Sequence, residues 1–233
     1  MIPKTIHYCW FGRGEKPNLA KKCIASWKKY CPDYQIIEWN EDNFDLDYNG
    51  YTRYCYDHQK WAFLSDIARL IIIEKHGGIY LDTDVELRKS LDSLLDHESY
   101  YGFENDQYIN TGLGFGSCAG SASVEALLNQ YLRLQAKEDG TYSLIGCPLL
   151  NTQALKHLGL CLNGKTQVFD DYVVYSADYF NPYDDPTGRL NITRNTYSIH
   201  WYAKSWMSKK KILRSKMTKP LHRVLGSDFF RKK

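Results

Sequence analysis

The sequence predicts an α/β domain built on a mostly parallel central sheet of the Rossmann-like kind. Three observations predict it. Short β-favouring runs alternate with helical stretches from the first residues onward, the order that builds right-handed βαβ crossovers. Residues 62–75 lack Gly and Pro and are apolar on nearly every face, so they read as a buried helix. That helix turns on Gly77-Gly78 into a β-favouring run ending in Asp82-Thr83-Asp84-Val85. Finally, 233 residues with 43% hydrophobic and 24% charged content fit one domain with a sizeable core.

Residues 5–11, TIHYCWF, make the first strand, closed by Gly12 and the turn-rich stretch after it. Residues 19–30 form an amphipathic helix with Ile24 and Trp27 on one side and lysines on the other. Residues 34–39 are a second strand, parallel to the first. Ligands of such sheets lie beyond the C-terminal strand ends, which places Trp10, Phe11 and Gly12, with Glu38 to Asn40, on the ligand side. His7 reads as a structural residue. Residues 41–58 are polar and show little periodicity, as loops or short helices do.

At the end of the buried helix, Gly77 and Gly78 supply the left-handed cap that only glycine adopts without steric cost. After the aspartates, residues 87–95 lead away from the sheet and residues 100–104 form another strand. Glycines at 112, 114, 116 and 120 then imply close backbone approach. Residues 122–137 read as a helix, Pro148 opens the next one through His157, and residues 168–175 lead into a turn-dense segment, YFNPYDDPTGR. A short strand ends at His200.

The chemistry gathers at Asp82 and Asp84. Side chains at i and i+2 of a strand share a side, so the two carboxylates converge. Paired carboxylates repel and are expensive to bury unless a cation sits between them or one is protonated. Oxygen ligands suit Mg2+ or Mn2+, ions that complete their shell with water and phosphate. A second Asp-x-Asp, at Asp45 and Asp47, lies in a polar loop and carries no such argument. On the buried helix Asp66 and Arg69 stand at i and i+3 on one face, either as an intrahelical ion pair or as charges lining a cleft. No GxGxxG occurs, which argues against a dinucleotide oxidoreductase.

The segment SDIARLIIIEKHGGIYLDTDVEL, with the opening IPKTIHYCWFG and the late HWYAKSW, resembles glycosyltransferase family 32. These are DXD-containing sugar transferases related to the yeast initiating mannosyltransferases and, more distantly, to the glucosylating clostridial toxins. The three blocks span residues 2 to about 206. The resemblance implies a GT-A-type nucleotide-sugar-binding domain over residues 1–206, followed by a basic amphipathic tail over 207–233. It implies a retaining transferase with a UDP-sugar donor and a glycan or lipid-linked acceptor, of the bacterial capsular or surface-polysaccharide type. The divalent ion, Mn2+ or Mg2+, would be held by Asp82, Asp84 and His200. Arg69 and Asn110 join the aspartates as catalytic candidates. Trp10, Phe11, Asp66, Arg69, Asp82, Ser205 and Trp206 are candidates for the nucleotide sugar, with Trp10 near the base and Ser205 and Trp206 donating to phosphate.

Two other classes fit an Asp-x-Asp: a metal-dependent phosphohydrolase and a noncatalytic nucleotide- or glycan-binding module. The first lacks matching downstream motifs, and position 86 is Glu where a dehalogenase-type phosphatase wants Thr or Val.

Seven scattered cysteines without a CxxC fit neither a disulfide framework nor a zinc site, so reduced thiols in a cytoplasm are expected. There is no 20-residue apolar run, and the N-terminus begins directly with a strand, which predicts no signal peptide. Residues 204–233 carry eleven Lys/Arg and one Asp, leaving 19 basic and 26 acidic residues elsewhere. A net charge of +10 confined to one end, with interleaved apolar residues, fits peripheral contact with anionic lipid on the inner face of the membrane or a solvated helix, ahead of nucleic-acid binding.

Overall fold

The structure, a computed structural model, describes residues 1–204 and 218–223. Ser205, Trp206 and most of the basic tail assigned to 207–233 lie outside the described residues. Strand β1 (Thr5–Cys9), helix α1 (Asn18–Tyr30) and strand β2 (Gln35–Trp39) form the first crossover. The two strands pair in parallel, from Thr5 opposite Gln35 to Cys9 opposite Trp39. Helices α2 (Gly50–Asp57) and α3 (Trp61–His76) precede β3 (Gly78–Tyr80), which lies parallel to β1 on its other edge. Then come β4 (Val85–Leu87), β5 (Ser99–Asn105), β6 (Tyr108–Ile109) and β7 (Phe115–Ser117). Helices α4 (Ala122–Leu132) and α5 (Cys147–His157) follow. The last elements are β8 (Gln167–Val168), β9 (Tyr172–Tyr175), α6 (Ala177–Phe180), the hairpin β10 (Tyr183–Asp184) with β11 (Arg189–Leu190), and β12 (Ser198–His200).

The main sheet runs β2-β1-β3-β7-β5-β9-β8. β7 is antiparallel to both β3 and β5, and β8 is antiparallel to β9, whereas β9 is parallel to β5. Five of those seven strands (β2, β1, β3, β5 and β9) therefore point the same way, and their C-terminal ends share one edge. The expected mostly parallel α/β sheet is present, with one reversed strand near its centre.

Two apolar clusters cover the sheet. One gathers Leu64, Ile67 and Ile73 of α3 with Val124 and Leu127 of α4 and Leu150 and Leu155 of α5; the other gathers Cys23 and Trp27 of α1 with Ile6, Ile79, Val85 and Leu94. The α3 helix is buried, as its all-round apolar sequence predicts. At its end Gly77 and Gly78 take φ of +63° and +103°, and a Cβ on Gly78 would stand 2.8 Å from the Thr5 carbonyl oxygen. Both the backbone angle and the space exclude larger residues there, so α3 can turn tightly into β3. His7 is structural: Trp39 Nε1 donates to its Nδ1 (3.0 Å) and its Nε2 meets the Gly77 carbonyl (3.1 Å). Burial lowers its pKa to about 4 and keeps it neutral.

Three sequence expectations change. The first strand stops at Cys9, and the helix expected over 122–137 ends at Leu132. More consequentially, the strand expected to run through both aspartates breaks after Tyr80. The Val85 N–H donates to the Asp82 carbonyl (3.0 Å), closing a turn over residues 82–85, and β4 then pairs with β12 in a separate ribbon. Asp82 and Asp84 converge through turn geometry, not through the pleat of a strand.

All seven cysteines are free thiols. No helix of the described residues is long and apolar enough to cross a membrane. Residues 218–223 form a helical turn against the β10–β11 hairpin. Lys219 Nζ donates to the Tyr183 hydroxyl (2.6 Å) and pairs with Asp185 (3.1 Å), and Arg223 Nε donates to the Thr187 carbonyl (2.6 Å).

Candidate metal and donor site

Four elements meet at the sheet's C-terminal edge. The turn after β3 supplies Asp82 and Asp84, α3 supplies Asp66 and Arg69, the segment between β6 and β7 supplies Asn110 to Gly112, and β12 supplies His200. Ligand atoms of Asp82, Asp84 and His200 all lie within 4.8 Å of one another. His200 Nε2 is 3.2 Å from Asp84 Oδ1, and the Ala203 N–H donates to Asp84 Oδ2 (2.6 Å). One oxygen of Asp84 thus faces the histidine while the other is held by the backbone that follows it. The β4–β12 register, with His200 opposite Val85, brings the histidine to the aspartates from 116 residues away in sequence.

Arg69 stands behind the pair. Its Nη2 meets Asp82 Oδ1 (3.0 Å) and Asp66 Oδ1 (3.0 Å), its Nη1 reaches the Thr111 hydroxyl (3.3 Å), and its guanidinium carbon lies 4.9 Å from the centre of the Tyr80 ring. The Tyr80 hydroxyl also donates to Asp82 Oδ1 (3.1 Å). Both readings of Asp66 and Arg69 hold together, because the intrahelical ion pair extends onto the metal-side aspartate.

Electrostatics favour added positive charge. Burial raises the Asp82 pKa to about 6; Arg69 opposes the shift and the Asp84 carboxylate adds to it. Burial also acts against charge on Asp84 and on His200, but in each the partner wins, holding Asp84 below the usual carboxylate range and raising the His200 imidazolium. Asp66, Asp82, Asp84 and Glu104 are four acids facing one arginine and one histidine. Two carboxylates and an imidazole fit Mn2+ or Mg2+ by ligand type and by spacing. Among the described residues His200 Nδ1 is buried without a hydrogen-bond partner, and the ring's polar interaction is with Asp84.

Gly112 shows how tightly the site is built. A Cβ there would stand 2.5 Å from Asp82 Oδ2 and 2.9 Å from Asn110 Oδ1. The close approach predicted from the glycine run is thus to a functional carboxylate. Asn110 caps the following turn, its Oδ1 accepting the Gly112 N–H (2.7 Å), and its Nδ2 donates to Glu104 Oε2 (3.1 Å). Asp66 packs against Cys147 at the start of α5.

The remaining sequence candidates are more scattered. The Trp10 indole donates to the Gly14 carbonyl (2.6 Å), with Lys16 Nζ 5.5 Å from its ring centre, so it borders the β1 loop. Phe11 is buried and packs edge-on against Phe44. Ser205 and Trp206 lie outside the described residues. Tyr80, Gly112, Glu104 and Tyr202 join the site without having been singled out for it. Of these Glu104 had a signal, being the last residue of the strand expected over 100–104, on the ligand edge of the sheet.

An acidic turn and a histidine at the C-terminal edge of a mixed α/β sheet fit a GT-A-type fold with an Asp-x-Asp turn at its ligand edge. Residues 17–101 match the family described as "Glycosyltransferase sugar-binding region containing DXD motif". It is 32% identical over 111 residues to inositol phosphoceramide mannosyltransferase 3 of Schizosaccharomyces pombe, covering 42% of this chain and 29% of that protein. It is 33% identical over 105 residues to the uncharacterized glycosyltransferase L373 of Acanthamoeba polyphaga mimivirus, covering 41% of this chain and 40% of that one. The chain spans less than half the length of either relative. Among solved structures, the PaToxG glycosyltransferase shares the fold, with a TM-score of 0.51 and 20% identity over 68% of this chain and 70% of that one.

Proposed function

We propose that this chain transfers a sugar from a nucleotide sugar, with UDP as the nucleotide, to a glycan or lipid-linked acceptor, with retention at the anomeric carbon and a requirement for Mn2+ or Mg2+. The observation that carries the reading is the convergence of Asp82, Asp84 and His200 within 4.8 Å, backed by a buried arginine. When bound, the cation would offset the charge of the departing diphosphate.

The chain's own groups have distinct tasks in this reading. Asp82 and Asp84 would hold the cation through carboxylate oxygens and His200 through Nε2. The Ala203 N–H fixes the second oxygen of Asp84, so that Oδ1 stays turned toward the histidine. Arg69 orients Asp82 and keeps a positive charge behind the site, in a water-poor setting that strengthens its field. Asp66 and Asn110 would accept or donate to ribose and sugar hydroxyls, Trp10 and Phe11 would lie on the base side, and Ser205 and Trp206 would donate to phosphate oxygens.

The reading extends to place. A net charge of +10 over residues 204–233 supports a cytoplasmic enzyme docked peripherally on an anionic membrane face. Since Lys219 and Arg223 bind the β10–β11 hairpin, the basic residues at 209–216 and 231–233 would make that contact. A capsular or surface glycan as the product suits such a location.

The test is incubation with Mn2+ and a panel of UDP- and GDP-sugars, with and without simple glycosides. Release of sugar and nucleoside diphosphate from one donor supports the reading. Cleavage of p-nitrophenyl phosphate instead would make the chain a phosphohydrolase, and turnover of nothing would leave a binding module.

A further inference from the structure

From the geometry we infer that Glu104 is a sugar-recognition residue, the centre of a subsite that binds pyranose hydroxyls beside the metal-binding aspartates. The inference deepens the transferase reading and rests on it. Glu104 is the penultimate residue of β5, a strand that runs parallel to β3, so its carboxylate and that of Asp82 emerge at the same edge of the sheet. Its Oε2 accepts from Asn110 Nδ2 (3.1 Å) and its Oε1 from the Tyr202 hydroxyl (3.2 Å).

Each of those partners adjoins a member of the metal cluster. Asn110 Oδ1 holds the N–H of Gly112, the residue against which Asp82 lies. The Tyr202 ring centre is 4.2 Å from that of His200. Asn181 closes the chain, its Nδ2 donating to the Tyr202 hydroxyl (2.7 Å) and to the Glu104 main-chain carbonyl (2.9 Å), while its buried Oδ1 has no partner among the described residues. One carboxylate, two carboxamides and a phenol thus form a hydrogen-bonded row beside the aspartates.

Charge explains why the row has a function. Glu104 is half-buried, and among the described residues no salt bridge reaches its carboxylate, whose hydrogen bonds come from Asn110 and Tyr202. Two neutral donors leave lone pairs on both its oxygens. Those lone pairs can accept further donors, and vicinal hydroxyls are donors of that geometry. Tyr202 itself has φ +50°, a left-handed angle that a bulky residue adopts only when its surroundings impose it, here through Glu104 and Asn181. The hydroxyls could belong to the donor sugar or to an acceptor sugar, and the chemistry is the same for both.

The test uses the full chain with Mn2+, first measuring binding of UDP and GDP alone, then of UDP-glucose, UDP-galactose and GDP-mannose, then transfer to a panel of methyl glycosides. In Glu104→Gln, affinity for Mn2+ with the preferred diphosphate should stay within about twofold of wild type. Affinity for the matching intact sugar nucleotide should fall roughly tenfold or more, or else the KM for the glycoside should rise by that factor, as loss of a charge-assisted bond requires. The first result assigns Glu104 to the donor, the second to the acceptor. Tyr202→Phe cuts the same internal link but keeps the carboxylate, so its sugar affinities should change less than threefold. Equal loss for diphosphate and sugar nucleotide, equal loss in both variants, or no change in either sugar arm would overturn the assignment. The thermal midpoint of Glu104→Gln is read alongside, and if it does not fold, Glu104→Ala, which also removes the carboxylate, replaces it with the same expectations. A wild-type chain that binds neither diphosphate with Mn2+ removes the transferase reading itself, and this subsite with it.

Discussion

The carboxylate of Asp82 lies directly against the backbone of Gly112, so close that a single added carbon would stand 2.5 Å from its Oδ2. The angle φ at Gly112 is outside the left-handed region, so alanine strains no backbone there; its effect is all on the neighbours. Gly112→Ala should displace Asp82 and weaken Mn2+ binding about tenfold while shifting the thermal midpoint by only a few degrees. A Mn2+ titration matching wild type would mean that Asp82 is not a ligand.

Asp84 holds both His200 and the Ala203 N–H. Replacing it with Asn keeps the shape but removes the charge on which cation binding depends. Donor turnover in Asp84→Asn should fall at least about a hundredfold, with the circular dichroism spectrum unchanged. Undiminished turnover would dismiss the aspartate from the chemistry.

Arg69 is 2% exposed and is shared by two carboxylates. Arg69→Met leaves both of them buried without a counter-charge and should destabilise the fold by about 3–5 kcal/mol in urea titrations. The triple variant Asp66→Asn, Arg69→Met, Asp82→Asn should recover much of that loss. If the single variant is as stable as wild type, the ion pairs are not holding these elements together.

The pH dependence has a definite sign. The Asp82 pKa is raised to about 6, above the ~3.9 of an unfolded aspartate, so the folded chain binds the extra proton. Its contribution to stability is full below pH ~4 and is lost as pH rises through about 6. His200, also raised, contributes below its ordinary value and loses that contribution as pH climbs past its folded pKa; Asp84, lowered, contributes above pH ~4 and loses it in stronger acid. A cation must displace protons from Asp82 and His200. Mn2+ affinity should therefore increase between pH 5.5 and 8, with proton release visible in calorimetry across buffers of different ionisation enthalpy. Flat affinity over that range would contradict the assignment.

For the tail, Lys209→Gln, Lys210→Gln and Lys211→Gln together should weaken sedimentation with phosphatidylglycerol vesicles several-fold at low salt and have little effect at high salt. Equal binding by both proteins would remove the membrane role.

Much of this molecule could be read from its residues alone. The α3 helix, its two-glycine exit and the acidic turn are local, because an all-round apolar helix must be buried and only glycine fits the exit angles. The alternation of strands and helices likewise foretold the α/β sheet. What the sequence could not reveal depends on pairing between distant segments. The β4–β12 register sets His200 beside Asp84, and the common direction of β3 and β5 sets Glu104 on the edge that bears Asp82. Even the meeting of Asp82 and Asp84 is made by a turn held by Val85, where alternation along a strand had been expected. Side-chain chemistry and local backbone preference act over a few residues and are written in the order of the chain. Register and strand direction are settled by which arrangement buries the most apolar surface across the whole sheet, and only the folded structure records that outcome.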